Sequence, residues 1–178
     1  LLKLYRSGGL SAADSFLTGC DGAIDVPSAH AGGFGGGFFA VYVPSPMDID
    51  AKFAEMTKDQ YDLPLPDPID WEDAFPVVMA QAAVLFDLEK RGALKVCRSV
   101  ADIRATLGAG KIAAIFHIEG AEAIDRDFHT LDVLYQAGLR SLGPVWSRST
   151  IFGHGVPFRY PSDGDIGPGL TDYGLQLV

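Results

Sequence analysis

The stretch KIAAIFHIEGAEAI, Lys111 to Ile124, decides the fold. It begins as an apolar run with β-branched residues, and it then brings His117, Glu119 and Gly120 close together. Side chains alternate across a strand, so Ala113, Ile115, His117 and Glu119 share one side while Ile112, Ala114, Phe116 and Ile118 share the other. The second set is uniformly apolar and suits packing against helices. The first set turns polar only towards its C-terminal end. In sheets and barrels of parallel strands, ligands and catalytic groups gather at that end, because the loops leading into the helices converge there. His117 and Glu119 are therefore expected to face a site. The competing reading from spacing alone is a Glu119 that caps the next loop and a His117 satisfied within the core.

The flanking segments repeat one theme. A short strand at Leu94 to Cys97 precedes SVADIRATLG, in which Ser99 and Asp102 resemble a capping pair and Gly108 a C-terminal cap. After the central strand, DFHTLDVLYQAG sets Phe128, Leu131, Leu134 and Tyr135 on one helical face, with Gly138 ending it, and LRSLGPVW returns as another strand. Strand, helix and strand joined by short turns indicate parallel βαβ units.

Upstream, Phe75, Val78, Met79, Ala82, Leu85 and Phe86 recur at helical spacing between Trp71 and Arg91, where Pro76 is compatible only with the first turn. In AGGFGGGFFAVYVPSP the glycines precede a strand over Phe38 to Val43. A dinucleotide fingerprint needs them after a strand, so close backbone packing at the strand entrance is the better reading. Residues 1–30 read as mostly loop, with a helix start at Ser11; 44–70 read as a long excursion with a short helix over Ala51 to Asp59. A Gly-, Pro- and Ser-rich segment over 147–169 leads to LTDYGLQLV, which begins a last helix.

Composition bounds the function. The 178 residues are 48% hydrophobic and 21% charged, as in a soluble globular domain. A net charge of -9, with 14 Lys and Arg spread thinly, argues against a nucleic-acid or anionic-membrane partner. Cys20 and Cys97 have no CxxC or Cys/His spacing, so neither a disulfide framework nor a thiolate metal site is indicated. No apolar run reaches the roughly 18 to 20 residues of a membrane span, and the start lacks a cationic-then-apolar leader, so a cytoplasmic location is expected. The chain opens on Leu1 inside a structured segment and stops within a helix, from which a piece of a longer protein is expected.

The blocks AIDVPSAHAGGFGGGFFAVYVP, GKIAAIFHIEGAEAIDRDFHTLDVLYQAGLRSL and GPGLTDYGLQLV, in that order, resemble the membrane dipeptidase (renal dipeptidase) family of zinc metallopeptidases, especially its bacterial members. The resemblance implies an α/β fold, a TIM-type (β/α)8 barrel of the metal-dependent hydrolase kind. Residues 1–178 would be the N-terminal part of that single catalytic domain, a partial barrel of about four strands, since a whole barrel takes about 250 residues. It further implies two zinc ions, a small dipeptide substrate and a metal-bridging role for Glu119. A carboxylate between two dications roughly 3.5 to 4 Å apart offsets their charge and lets them share a nucleophilic water. Trp146 stands about where well-known members carry a substrate-contacting histidine, and serves either as a pocket wall or as packing. Arg148 and His154 are candidate substrate contacts at the rim, and a homodimer is left open.

There are departures from the family pattern. Its His-x-Asp metal motif is absent, and DGAID at Asp21 to Asp25 is rejected as a substitute because Ala23 replaces the histidine and the stretch lies just before the glycine-rich segment. The motif is expected before Leu1, and two metal-binding histidines with a substrate-site Arg and Asp after Val178. Alone, these residues are expected to bind zinc poorly and to lack peptidase activity. A non-catalytic barrel relative or interaction module that lacks the metal shell is the alternative, and another metal-dependent hydrolysis, such as opening a β-lactam amide, would use the same site.

Overall fold

The computed structural model describes every residue except Asp21 and 46–48, and leaves undescribed also the side chains of 49–51. The DGAID stretch and the 44–70 excursion thus lie partly outside the described residues. In chain order the elements are α1 (Leu2–Gly8), α2 (Ala13–Thr18), α3 (Val26–Ala31), β1 (Gly36–Tyr42), α4 (Ile49–Met56), β2 (Tyr61–Leu63) and α5 (Trp71–Lys90). There follow β3 (Leu94–Val96), α6 (Val100–Gly108), β4 (Ile112–Glu119), α7 (His129–Ala137), β5 (Leu139–Gly143), β6 (Phe158–Tyr160) and α8 (Asp172–Leu177).

β4 is the centre of a parallel sheet. β1 pairs along one edge of it, from Gly36 opposite Ala113 to Tyr42 opposite Glu119. The other edge is shared: β3 pairs with Ile112 to Ala114, and β5 pairs from Phe116 to Glu119. Between Phe116 and His117 the register shifts as β5 steps from Leu139 to Ser141.

The expected alternation holds along β4. Ile112, Ala114, Phe116 and Ile118 are at most 1% exposed, whereas on the other face Ile115 and His117 are half-buried and Glu119 is exposed. The apolar face packs against α5, which contributes Val78, Leu85 and Leu88, and Phe86 meets Phe116 edge-on with ring centroids 5.8 Å apart and ring planes 86° apart. Each such buried side chain contributes about 1.5–3 kcal/mol by leaving water.

Several local expectations need revision. The first thirty residues form three short helices and a 3-10 turn, Gly9–Ala12, instead of loop. Pro76 lies in the second turn of α5, where it cannot donate to the Glu72 carbonyl, a bond that exposed Glu72 can replace with water. Ser99 does cap α6, accepting from the Asp102 amide at 3.1 Å, but the left-handed glycine that follows is Gly110, φ 68°, and Gly108 remains helical. Tyr135, expected on the buried face of α7, is 52% exposed, with the Arg140 guanidinium over its ring.

The glycine-rich entrance to β1 is a place of close approach. A Cβ on Gly36 would collide with the Ala113 carbonyl oxygen. The excursions 44–70 and 147–169 meet as an antiparallel pair, β2 with β6, Tyr61 opposite Tyr160 and Leu63 opposite Phe158. Among the described residues, no helix is long and apolar enough to cross a membrane.

Candidate functional site

Glu119 is the last residue of β4, at the sheet's C-terminal edge. Its register partners are Tyr42 on β1 and Gly143 on β5, so the carboxylate stands beside one phenol and one position without a side chain. Among the described residues, nothing hydrogen-bonds or ion-pairs with the Glu119 side chain. One level down, His117 Nδ1 lies 2.9 Å from Ser141 Oγ, and its ring meets Phe38 edge-on with centroids 5.9 Å apart. His117 is therefore held by a hydroxyl and an aromatic edge on the same face as Glu119.

The backbone on both sides of Glu119 is fixed. Buried Gln81 of α5 donates through Nε2 to the Tyr42 carbonyl at 2.8 Å, pinning the end of β1. Beyond β4, the Gly120 amide donates to the Gly143 carbonyl at 3.0 Å and the Ala121 amide to that of Pro144 at 3.2 Å, which extends the pairing with β5 into the loops. Gly120 takes φ 89°, a left-handed turn that favours glycine. The Trp71 indole donates to the Ala123 carbonyl at 3.0 Å, tying the same loop to the start of α5.

Trp146 follows Gly143 by three residues and is 53% exposed, its ring edge-to-face with Phe158 at 5.9 Å between centroids. Lys52 Nζ stands 4.7 Å from the centre of the Phe158 ring and donates to the Pro64 carbonyl at 3.0 Å. Phe158 of β6 thus lies between the Trp146 ring and the Lys52 ammonium of α4 as a partner to both. His154 is exposed, its amide bonded to the Gly169 carbonyl at 3.1 Å.

Arg148, expected at the rim, is instead 5% exposed. Its Nε and Nη2 donate to Glu122 Oε1 at 2.9 and 2.6 Å, Nη1 to Ser45 Oγ at 2.7 Å, and Nη2 also to the Val43 carbonyl at 2.7 Å. Glu122 is a participant that sequence reasoning passed over as part of a loop. Phe158, Lys52 and Tyr42 were missed too; only the position of Tyr42, on the same strand face as Phe38, carried any signal.

A shallow cleft of about 450 Å³ is lined by Leu2, Lys3, Arg6, Ser7 and Tyr42, so α1 presents two cations next to the partner of Glu119. Farther along, Asp125, Asp127 and His129 can bring one ligand atom each within 4.8 Å of one another. The Asp125 carboxylate there is already engaged, accepting from the Thr130 amide at 2.7 Å and the His129 amide at 3.1 Å.

The fold is mixed α/β, with Glu119 at the C-terminal edge of its parallel sheet. The chain belongs to the membrane dipeptidase family (peptidase family M19), whose model matches residues 9–178. It superposes on a metallo peptidase from Rhodobacter sphaeroides, liganded with a phosphinate mimic of the dipeptide L-Ala-D-Ala, with a TM-score of 0.91 and 47% identity, covering 99% of this chain and 51% of that one. The dipeptidase AC gives a TM-score of 0.89 and 48% identity over 99% of this chain and 50% of that one. An uncharacterized protein in the PQQ-III 3′ region of Acinetobacter calcoaceticus is 32% identical over 158 residues, 88% of this chain and 49% of that protein. The chain spans about half the length of these relatives.

Proposed function

We propose that residues 1–178 form the N-terminal part of a zinc-dependent dipeptidase built on a (β/α)8 barrel, with Glu119 as the carboxylate that bridges two zinc ions. The observation that carries this reading is Glu119 itself: an exposed carboxylate at the edge where parallel sheets bind ligands, without a protein partner among the described residues. Such a group fits a metal bridge better than a structural cap, which would spend its oxygens on backbone amides. When bound, the metal pair supplies a water activated near neutral pH.

The chain's own residues shape what surrounds that carboxylate. Trp146 and Phe158 form an aromatic wall for a substrate side chain, and exposed His154 offers a polar contact at the rim. Arg148 acts from behind the wall, with its donors spent on Glu122, Ser45 and Val43. The dipeptide class, including a C-terminal D-residue, is supported by the mimic bound to the Rhodobacter sphaeroides relative.

The test is hydrolysis of L,L- and L,D-dipeptides by zinc-loaded full-length protein, with and without Glu119→Gln. Turnover in the parent and none in the variant is expected. Full activity in the variant, or no cleavage of any dipeptide by the parent, contradicts the reading. Metal sites usually take three or more protein ligands, so residues 1–178 alone should bind zinc weakly. Tight uptake of two zinc ions by that piece would count against the same proposal.

A further inference from the structure

Arg148 joins three loops that leave the sheet on the side of Glu119. Its guanidinium reaches the segment after β1 through Val43 and Ser45, and the segment after β4 through Glu122, from its own place after β5. These partners lie 105, 103 and 26 positions away in sequence, so the contacts are tertiary. Both side chains are buried, Arg148 6% and Glu122 4% exposed.

The pair is lopsided. Glu122 Oε1 takes both bonds from Arg148, while buried Oε2 has no hydrogen-bond partner among the described residues. That oxygen lies against Gly120, the residue after Glu119, so closely that a Cβ on Gly120 would collide with it. A buried ion pair with an unsatisfied oxygen is a poor source of stability, because desolvation of two charges offsets most of their attraction. It is a good source of geometry. Glu122 wedges under the turn that follows Glu119, and Arg148 holds the loop two residues beyond Trp146, whose carbonyl in turn accepts from the Val156 amide at 2.8 Å.

We propose that Glu122 and Arg148 are positioning residues: together they set where the Glu119 carboxylate and the Trp146 indole stand relative to each other. The inference rests on the proposed metal-bridging role of Glu119, and its test separates the two. In the full-length protein, compare Glu122→Gln, Arg148→Met and the double variant by thermal melting, zinc affinity, kcat and KM, and hydrogen exchange at Gly120, Ala121 and Val156. Partners that orient metal ligands typically cost 10–100-fold in metal affinity or activity when removed.

Each single variant should therefore lose about tenfold or more in zinc affinity or kcat. The double variant leaves no unpaired buried charge, so its melting temperature should return towards that of the parent. Zinc affinity and kcat should not return with it, and the three amides should exchange faster than in the parent while α5 stays protected. Recovery of zinc affinity, kcat and amide protection together with melting temperature would reduce the pair to a structural contact and overturn the proposal. If the parent shows no dipeptidase activity or zinc binding, the proposed function fails, and amide exchange alone decides whether the pair positions these loops.

Discussion

His117 Nδ1 and Ser141 Oγ are 2.9 Å apart, joining β4 to β5 one level below Glu119. A hydrogen bond of this kind contributes about 0.5–1.5 kcal/mol net. Ser141→Ala should lower unfolding free energy by that amount, measured by denaturant titration, and should loosen the His117 ring without disturbing the apolar face of β4. An unchanged unfolding free energy would show that water replaces the hydroxyl at no cost.

Trp71 offers a way to loosen the loop after Glu119 from the opposite direction. Trp71→Phe keeps an aromatic ring to stack on Phe75, now 4.9 Å away between centroids, but removes the donor to the Ala123 carbonyl. Ala123 is fully buried, so its carbonyl would lose its partner where water is scarce, at about 1–3 kcal/mol. Chemical denaturation of the variant should show a loss in that range, and faster exchange of amides between Gly120 and Ile124.

Gly36→Ala tests the close approach of β1 to β4. The new methyl meets backbone, the Ala113 carbonyl, which cannot swing aside as a side chain can. Overpacking of this kind costs about 1–3 kcal/mol, so the variant should unfold at lower denaturant concentration. Gly169→Ala is the matched control: a Cβ there meets nothing within 4 Å, and the change should stay within about 0.5 kcal/mol.

Asp25 gives a pH dependence with a definite sign. Its carboxylate accepts from the Ser28 hydroxyl, the Cys20 amide and the Ser28 amide, which holds its pKa below the ordinary aspartate value. A depressed folded-state pKa means that the stabilisation is present above the unfolded value of about 3.9 and is lost as pH falls through the folded one. Asp25→Asn should therefore melt lower than the parent at pH 6, with the gap closing below about pH 4. A gap independent of pH would assign the effect to shape instead of charge.

How much of this could be read from sequence follows from the range of the interactions involved. β4 was legible because alternation is a local pattern, and its buried and open faces came out as its residues specify. α5 was legible for the same reason, although Pro76 falls a turn later than its ring chemistry prefers, since tertiary packing of Val78, Leu85 and Leu88 outweighs one lost bond. The β2–β6 pair was not legible: three-residue strands nearly a hundred positions apart, bearing Tyr, Asp, Arg and Phe, carry no periodicity. The burial of Arg148 was hidden too, because a lone arginine in a Gly- and Ser-rich loop looks solvated until Glu122, Ser45 and Val43 converge on it. Glu119 stood out through its place at a strand end, whereas its neighbours Tyr42 and Gly143 needed the register.

The shared edge of β4 has an evolutionary consequence. Because β3 borders only Ile112 to Ala114 and β5 only Phe116 to Glu119, the lower and upper storeys of this strand answer to different neighbours along one edge, while β1 runs beside both along the other. The two ends of that edge are nevertheless tied: Arg98, just after β3, donates to the Ala137 carbonyl at 2.9 Å, and its own carbonyl accepts from Arg140 on β5 at 2.9 Å. A substitution in β3 is therefore felt where β5 begins, and the foot of the strand and the rim that carries Glu119 do not drift wholly apart.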